Sequence, residues 1–186
     1  MINIGFGLSI LIPVPYLINN IFDLGKETYG LIMSFSSFGM IVGAVAVNKA
    51  KKEFQIKDFS KISYILAALS CIFLIPTIFS FSKLFIIVLF STGMFLFGAV
   101  IAYIDIPIIT FLQNYSPENL RGQIMGFFIS LVKIVLPLSL FISGKIVDVL
   151  SPIISIGFGG LVFALTGFLI IYFYSKVEKN KKTRQI

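Results

Sequence analysis

Six apolar runs dictate what this chain can become. They lie at about 1–18, 29–47, 62–81, 84–112, 122–150 and 153–175. Each approaches or exceeds the ~20 residues with which a helix crosses a ~30 Å hydrocarbon core. Open strands would leave backbone N–H and C=O groups unpaired in lipid, so each run is read as a helix. Of the 186 residues 58% are hydrophobic and only 12% charged, where a soluble domain carries about 25% charge. So small a globule could not bury all these runs. The expected fold class is all-α integral membrane: six transmembrane helices over 1–175, then a basic tail at 176–186.

The rare polar residues exclude several functions. Cys71 is the one cysteine, so it forms no internal disulfide and no metal site. Histidine is absent, which removes an HExxH zinc site and a Ser-His-Asp triad. No acidic pair and no GxSxG serine turn is present, so an enzyme is not expected, nor is a cofactor or a metal. The net charge is +7, but the lysines cluster beside apolar runs. That pattern suits an anionic lipid surface and not nucleic acid.

Charge asymmetry orients the bundle. Lys49, Lys51, Lys52, Lys57 and Lys61 surround the second connection, Arg121 marks the fourth, and Lys176, Lys179, Lys181, Lys182 and Arg184 fill the tail. With six alternating helices all eleven fall on one side, against Lys26 and Lys83 on the other. Basic residues are retained on the cytoplasmic side. Both termini are therefore expected in the cytoplasm, with the chain a multi-pass protein of the cell (inner) membrane. The first run begins at Met1 without a basic flank and contains Pro13 and Pro15. It reads as a helix lacking its cytoplasmic start, and not as a signal peptide.

Two charges interrupt the apolar runs, Asp105 in the fourth and Lys133 in the fifth. A charge at a helix centre costs about 2.5–3.5 kcal/mol on insertion scales, so each is a functional candidate by default. At 1.5 Å per residue Lys133 lies roughly 18 Å from Arg121, and Asp105 about 12 Å from Gln113. The depths differ by only ~6 Å, within reach of a lysine stem. A structural ion pair, an aspartate facing water, a coupling or substrate role, and a lone snorkelling charge all remain open.

The fifth run carries a longer pattern. Gly122, Gly126, Ser130, Lys133, Pro137, Leu140, Gly144 and Asp148 recur every three or four residues, which places them on one helical face. Such a face either packs closely on another helix or lines an aqueous path. The fourth run has Gly98, Ala102 and Asp105, with Pro107 expected to kink it. The second has Gly30, Ser34 and Ser37, and a GxxxG pair, Gly39 and Gly43, expected to mark helix packing. Lys145 and Asp148 are spaced for an interfacial ion pair. Runs three and six carry hydroxyls and Cys71 but no charge. The features therefore repeat with a period of three helices: one and two correspond to four and five, and three to six.

"NYSPENLRGQIMG" (114–126) is the polar turn between runs four and five. Ser116 is placed to cap the next helix, with Pro117 at its first position and Glu118 in its first turn. Glu118 and Arg121 are then residues of a cytoplasmic loop, and Gly122 and Gly126 open the small-residue face.

Three stretches carry a family resemblance: "PVPYLINNIFDLGKETYGLIMSFSSFGMIVGAVAVNKAKK" (13–52), "IDIPIITFLQNYSPENLRGQIMGFFISLV" (104–132) and "PLSLFISGKIVDVLSP" (137–152). They resemble helices seven to twelve, the C-terminal half, of a major facilitator superfamily transporter. The branch they resemble is that of the drug:proton antiporters, which includes macrolide-efflux-like and siderophore-exporter-like proteins. In the basic loop the family's acidic position is missing, with Val47 and Asn48 in that region. The resemblance implies one half of a major facilitator fold, built of two three-helix repeats. It implies a central cavity between two halves, which alternates access by rocking. Helices one, two, four and five would line that cavity. The start of helix eleven, here Gly122 to Gly126, would pack on the other half.

The expectation is proton-coupled efflux of amphipathic small molecules, with Asp105 carrying the proton and Lys133 as its partner or a substrate contact. Ser130 and Pro137 would line the same path, and Pro107, Gly39, Gly43, Gly122 and Gly126 would serve packing or hinging. The partners would be membrane lipid, substrate, protons and an N-terminal six-helix half. The alternatives are a self-associating channel subunit and an inactive fragment. The orientation is directly testable. On a Cys71→Ser background, Glu118→Cys is expected to react with a membrane-impermeant maleimide only from the cytoplasmic side, and Lys83→Cys only from outside. The reverse pattern would remove this topology.

Overall fold

The computed structural model describes residues 1–50, 56–79 and 81–183, with side chains left out at 50, 56, 57 and 177–183. Of the basic residues expected at the cytoplasmic face, Lys51, Lys52 and Arg184 lie outside the described residues, as do the side chains of Lys57, Lys179, Lys181 and Lys182. The described chain is all-helical, with six helices long and apolar enough to cross a membrane.

These are α1 (Ile2–Ile21), α2 (Lys26–Ala50), α3 (Ile56–Ile72, continued by Ile75–Ile78), α4 (Lys83–Tyr115), α5 (Arg121–Val149) and α6 (Pro152–Thr183). Several run a few residues past the apolar cores from which they are legible, because Lys26, Lys83 and Arg121 are good helix formers at the water boundary. Prolines interrupt two of them. In α3, Pro76 cannot donate to the Ile72 carbonyl, and the helix breaks at 73–74 before resuming. In α1 the PxP pair Pro13 and Pro15 is flanked by two wide π-helical turns, Gly7–Leu11 and Leu17–Ile21. Between α1 and α2 the chain turns through Gly25, whose φ of +82° suits glycine. Lys83 at the start of α4 donates to the Asp23 carbonyl in that turn at 3.3 Å.

Ser116 does not cap α5. It ends α4 in extended geometry, and its hydroxyl donates back to the Leu112 carbonyl. The residue before a proline is driven out of helical geometry, so Pro117 makes Ser116 a terminator. Pro117 to Leu120 then form a turn closed by the Leu120 N–H on the Pro117 carbonyl at 3.0 Å, and α5 begins at Arg121. Glu118 thus belongs to the turn and not to the first turn of the helix.

Helix pairing follows one exchange rule. Swapping α1 with α4, α2 with α5 and α3 with α6 turns the α2–α4 contact into α5–α1, and α3–α4 into α6–α1; α3–α6 maps onto itself. All five contacts are made. One pair departs from the rule: α5 touches α6, while α2 has no comparable contact with α3 among the described residues. The bundle is therefore two three-helix units built alike.

Glycines set how near the helices come. A methyl group at Gly39 would collide with the Phe95 carbonyl of α4, and one at Gly43 with the Ala99 carbonyl. From the other side, one at Gly98 would strike the Ser36 carbonyl of α2. Three glycines thus hold α2 and α4 backbone to backbone, the arrangement that drives association where lipid removes any hydrophobic difference between helix and solvent. An aromatic core of Phe73, Phe90, Phe97 and Phe163 fills the space between α3, α4 and α6, with ring centroids 5.3–6.5 Å apart.

Coverage is uneven. Half of the α1 span is buried, but only 17% of α2 and 6% of α5. These glycines give a contrast to measure. Gly43→Val should destabilise the detergent-solubilised protein by about 3 kcal/mol, since backbone blocks the added group. Gly126→Ala, with open space around it, should be neutral or stabilising by up to about 1 kcal/mol. Equal effects on thermal unfolding would contradict the close α2–α4 crossing.

Candidate functional site

The two intramembrane charges sit at matching depth. Counted from the ends of their helices, Asp105 lies about 15 Å from Tyr115 and Lys133 about 18 Å from Arg121. Both are exposed. They form no ion pair, and α4 and α5 touch only slightly. The structural ion pair left open by the sequence is therefore absent from this arrangement.

Prolines sharpen both places. Pro137 has no N–H for the carbonyl four residues earlier, which is that of Lys133 itself. Lys133 thus combines an ammonium group with a carbonyl that lacks its usual helical donor, and Ser130 lies one turn before it, also exposed. Pro107 likewise withholds a donor from the Tyr103 carbonyl, within a turn of Asp105. Each charge is accompanied by a locally weakened helix, so each point is polar and bendable at once.

The polar stripe of α5 faces away from the bundle. Ser130, Lys133, Pro137, Gly122 and Gly126 are all exposed, and a methyl group at Gly122, Gly126 or Gly144 would meet nothing within 4 Å. The covered face of α5 is a different one, Ser139, Ser143 and Val147. At ~100° per residue it lies about 100° around the helix from the stripe. Ser139 rests against Asn3 and Gly7 of α1, so α1 covers only the C-terminal part of α5. Of the packing glycines, Gly39 and Gly43 lie at the α2–α4 crossing, while a methyl group at Gly122 or Gly126 would enter open space. Arg121 and Glu118 are exposed at the turn, as is Lys49 at the end of α2.

A groove of about 320 Å³ lies elsewhere, between α3 and α6, walled by Ala67, Ala68, Gly157, Gly160 and Ala164. It contains no charge and reflects the small side chains on those helices. Among the described residues no three His, Cys, Asp or Glu side chains gather as metal ligands.

One polar constellation escaped the sequence reading. Ser9, Ser70, Ser143 and Ser155 are buried where α1, α3, α5 and α6 meet. Ser143 and Ser155 hydroxyls lie 3.0 Å apart, Ser155 donates to the Leu8 carbonyl at 2.8 Å, and Ser70 donates to Ser9 at 3.3 Å. The one sequence signal was the PxP pair in α1, which leaves carbonyls for other groups to satisfy.

Fold and exposed polar stripe together define a six-helix membrane unit whose α5 stripe is not covered by its own helices among the described residues. The chain belongs to the Major Facilitator Superfamily, whose sequence profile matches residues 1–137. That is a family of membrane transporters and not of enzymes, and the chain is accordingly a multi-pass membrane protein. The match includes α1 to α4 and α5 as far as Pro137. No curated protein and no solved structure matches the chain significantly.

Because the charges are unpaired, their effects on stability should be independent. Asp105→Asn and Lys133→Gln are expected to combine additively, within about 0.5 kcal/mol, in a double-mutant cycle on thermal unfolding. A coupling above about 1 kcal/mol would mean that the two meet.

Proposed function

We propose that this chain is the C-terminal half of a secondary transporter, with α1, α2, α4 and α5 forming one wall of its cavity. Amphipathic small molecules leave the cell through that cavity in exchange for entering protons. Asp105 takes up and releases the proton. Lys133 responds to its charge or contacts substrate, and Ser130 and Pro137 line the same path. Gly122 and Gly126 let the inner loop of an N-terminal six-helix half approach the α5 backbone, beside Glu118 and Arg121. Both termini lie in the cytoplasm and the membrane is the cell membrane, in keeping with the basic residues of the inner connections.

The observation that carries the reading is the exposure of Asp105 and Lys133 at mid-depth with no ion-pair partner among the described residues. A lipid-facing position would cost about 2.5–3.5 kcal/mol for each. The same side chains beside water cost little, so this face suits an aqueous cavity. The low coverage of α2 and α5 supports a further six-helix unit across it. Membership of a transporter family supports transport as the purpose of that cavity.

The test is reconstitution in proteoliposomes with an imposed proton gradient and an amphipathic fluorescent dye. The partner supplied in the test is an N-terminal six-helix half of a major facilitator transporter. Dye should move against the proton flow only with both halves present. Asp105→Asn should reduce gradient-driven movement by about 100-fold, the low end of what a positioned proton carrier contributes. Unchanged transport in Asp105→Asn, Lys133→Gln and the double variant would end the proposed roles. Gradient-driven uptake by this chain alone would remove the two-half arrangement, and ion current without coupling would favour a channel.

A further inference from the structure

The wide turn Gly7–Leu11 in α1 poses a bookkeeping problem for the backbone. In α-geometry the Leu8 carbonyl would receive the Ile12 N–H; in π-geometry it is offered residue 13 instead. Residue 13 is proline, which has no N–H to give. The Leu8 carbonyl is therefore left without a donor from its own helix, and Leu8 is buried. An unpaired backbone carbonyl inside a membrane protein costs several kcal/mol unless another group meets it.

That group comes from the far end of the chain. Ser155 in α6 is fully buried and its hydroxyl donates to the Leu8 carbonyl at 2.8 Å. Having used its only proton there, Ser155 accepts one from Ser143 of α5, 3.0 Å away. One residue further along α1, Ser9 donates to the Ile156 carbonyl at 3.4 Å and lies 3.3 Å from the Ser70 hydroxyl of α3, whose single proton is shared with the Leu66 carbonyl at 3.0 Å. The helices come this close because glycines allow it. A methyl group at Gly7 would collide with the Ser139 hydroxyl, and one at Gly159 with Ser9. The widened turn is thus met by the Ser155 hydroxyl of α6 and the Ser70 hydroxyl of α3, with Ser143 of α5 behind Ser155.

We propose that the turn Gly7–Leu11 is a bending point of α1, and that Ser155 is its latch, acting on a carbonyl that Pro13 cannot serve. α1 can change direction here because the bond that holds the turn belongs to another helix. A shift between α1 and α6 exchanges two hydroxyl bonds, the short one from Ser155 to Leu8 and the longer one from Ser9 to Ile156, and need not unwind a turn of backbone. Pro13 and Ser155, 142 positions apart in the chain, form one energetic unit. This goes beyond the transport reading and stands or falls without it.

The test is a double-mutant cycle on the full chain in detergent, read by thermal unfolding and by amide hydrogen exchange over residues 7–14. Ser155→Ala should lower the unfolding midpoint by about 2–6 °C and speed exchange in that segment. Pro13→Ala restores an N–H, lets the turn close and should slow exchange there. In that background Ser155→Ala should lower the midpoint by less than half as much. Ser143→Ala, which leaves the bond to Leu8 in place, should give the same shift with either residue at position 13. If Pro13→Ala does not fold, the near-isosteric pair Ser155→Thr and Ser155→Val decides: Thr keeps the wild-type exchange rate and Val accelerates it. Equal losses from Ser155→Ala in both backgrounds would overturn the proposal. So would exchange over residues 7–14 that ignores the hydroxyl.

Discussion

Every feature of this bundle depends on one constraint: in hydrocarbon, a backbone N–H or C=O must find its partner within the protein. Six long helices satisfy nearly all of these groups locally, which is why the chain has no other form of spanning element among its described residues. The exceptions are created by proline. Pro76 breaks α3, Pro107 and Pro137 sit inside α4 and α5, and Pro13 with Pro15 lies between two widened turns of α1. Each release of a carbonyl creates a demand that another group must meet. Around α1 the demand is met by buried serines, and so the polar core of the bundle collects there.

The second constraint is that lipid offers helices no hydrophobic reason to associate. Close backbone approach takes its place. Gly39, Gly43 and Gly98 bring α2 onto α4, while Gly5, Gly7 and Gly159 bring α1 against α5 and α6. Glycines without such neighbours, Gly122, Gly126 and Gly144, lie on the exposed stripe of α5. The same residue type therefore does two jobs. Where a neighbouring backbone fills the space it closes the bundle, and where none does it leaves a smooth surface. Lys133 lies on that stripe of α5, and Asp105 is exposed on α4.

Much of this was legible in the residues. Apolar length alone predicts six helices, because span length is a property of contiguous sequence. The family too was legible, carried by stretches around 13–52 and 104–132 that fall within the matched region. The fate of individual polar residues was not. Ser116 has the local chemistry of a helix start, yet Pro117 makes it a helix end. The depths of Asp105 and Lys133 permit a pair, but depth says nothing of azimuth, and the two helices scarcely meet. The serine cluster joins residues from four helices, and no spacing within one helix reveals it.

By itself, then, the sequence determined that the chain enters a membrane, how many times it can cross, and where each helix is weakened by proline. These follow from local properties: hydrophobic length, a missing N–H, a missing side chain. Only the tertiary structure decided which glycines carry a crossing and which stand open, that Asp105 and Lys133 are apart, and that Ser155 answers the carbonyl Pro13 leaves behind. Those outcomes depend on helix rotation and pairing, which arise from contacts between residues far apart in the chain.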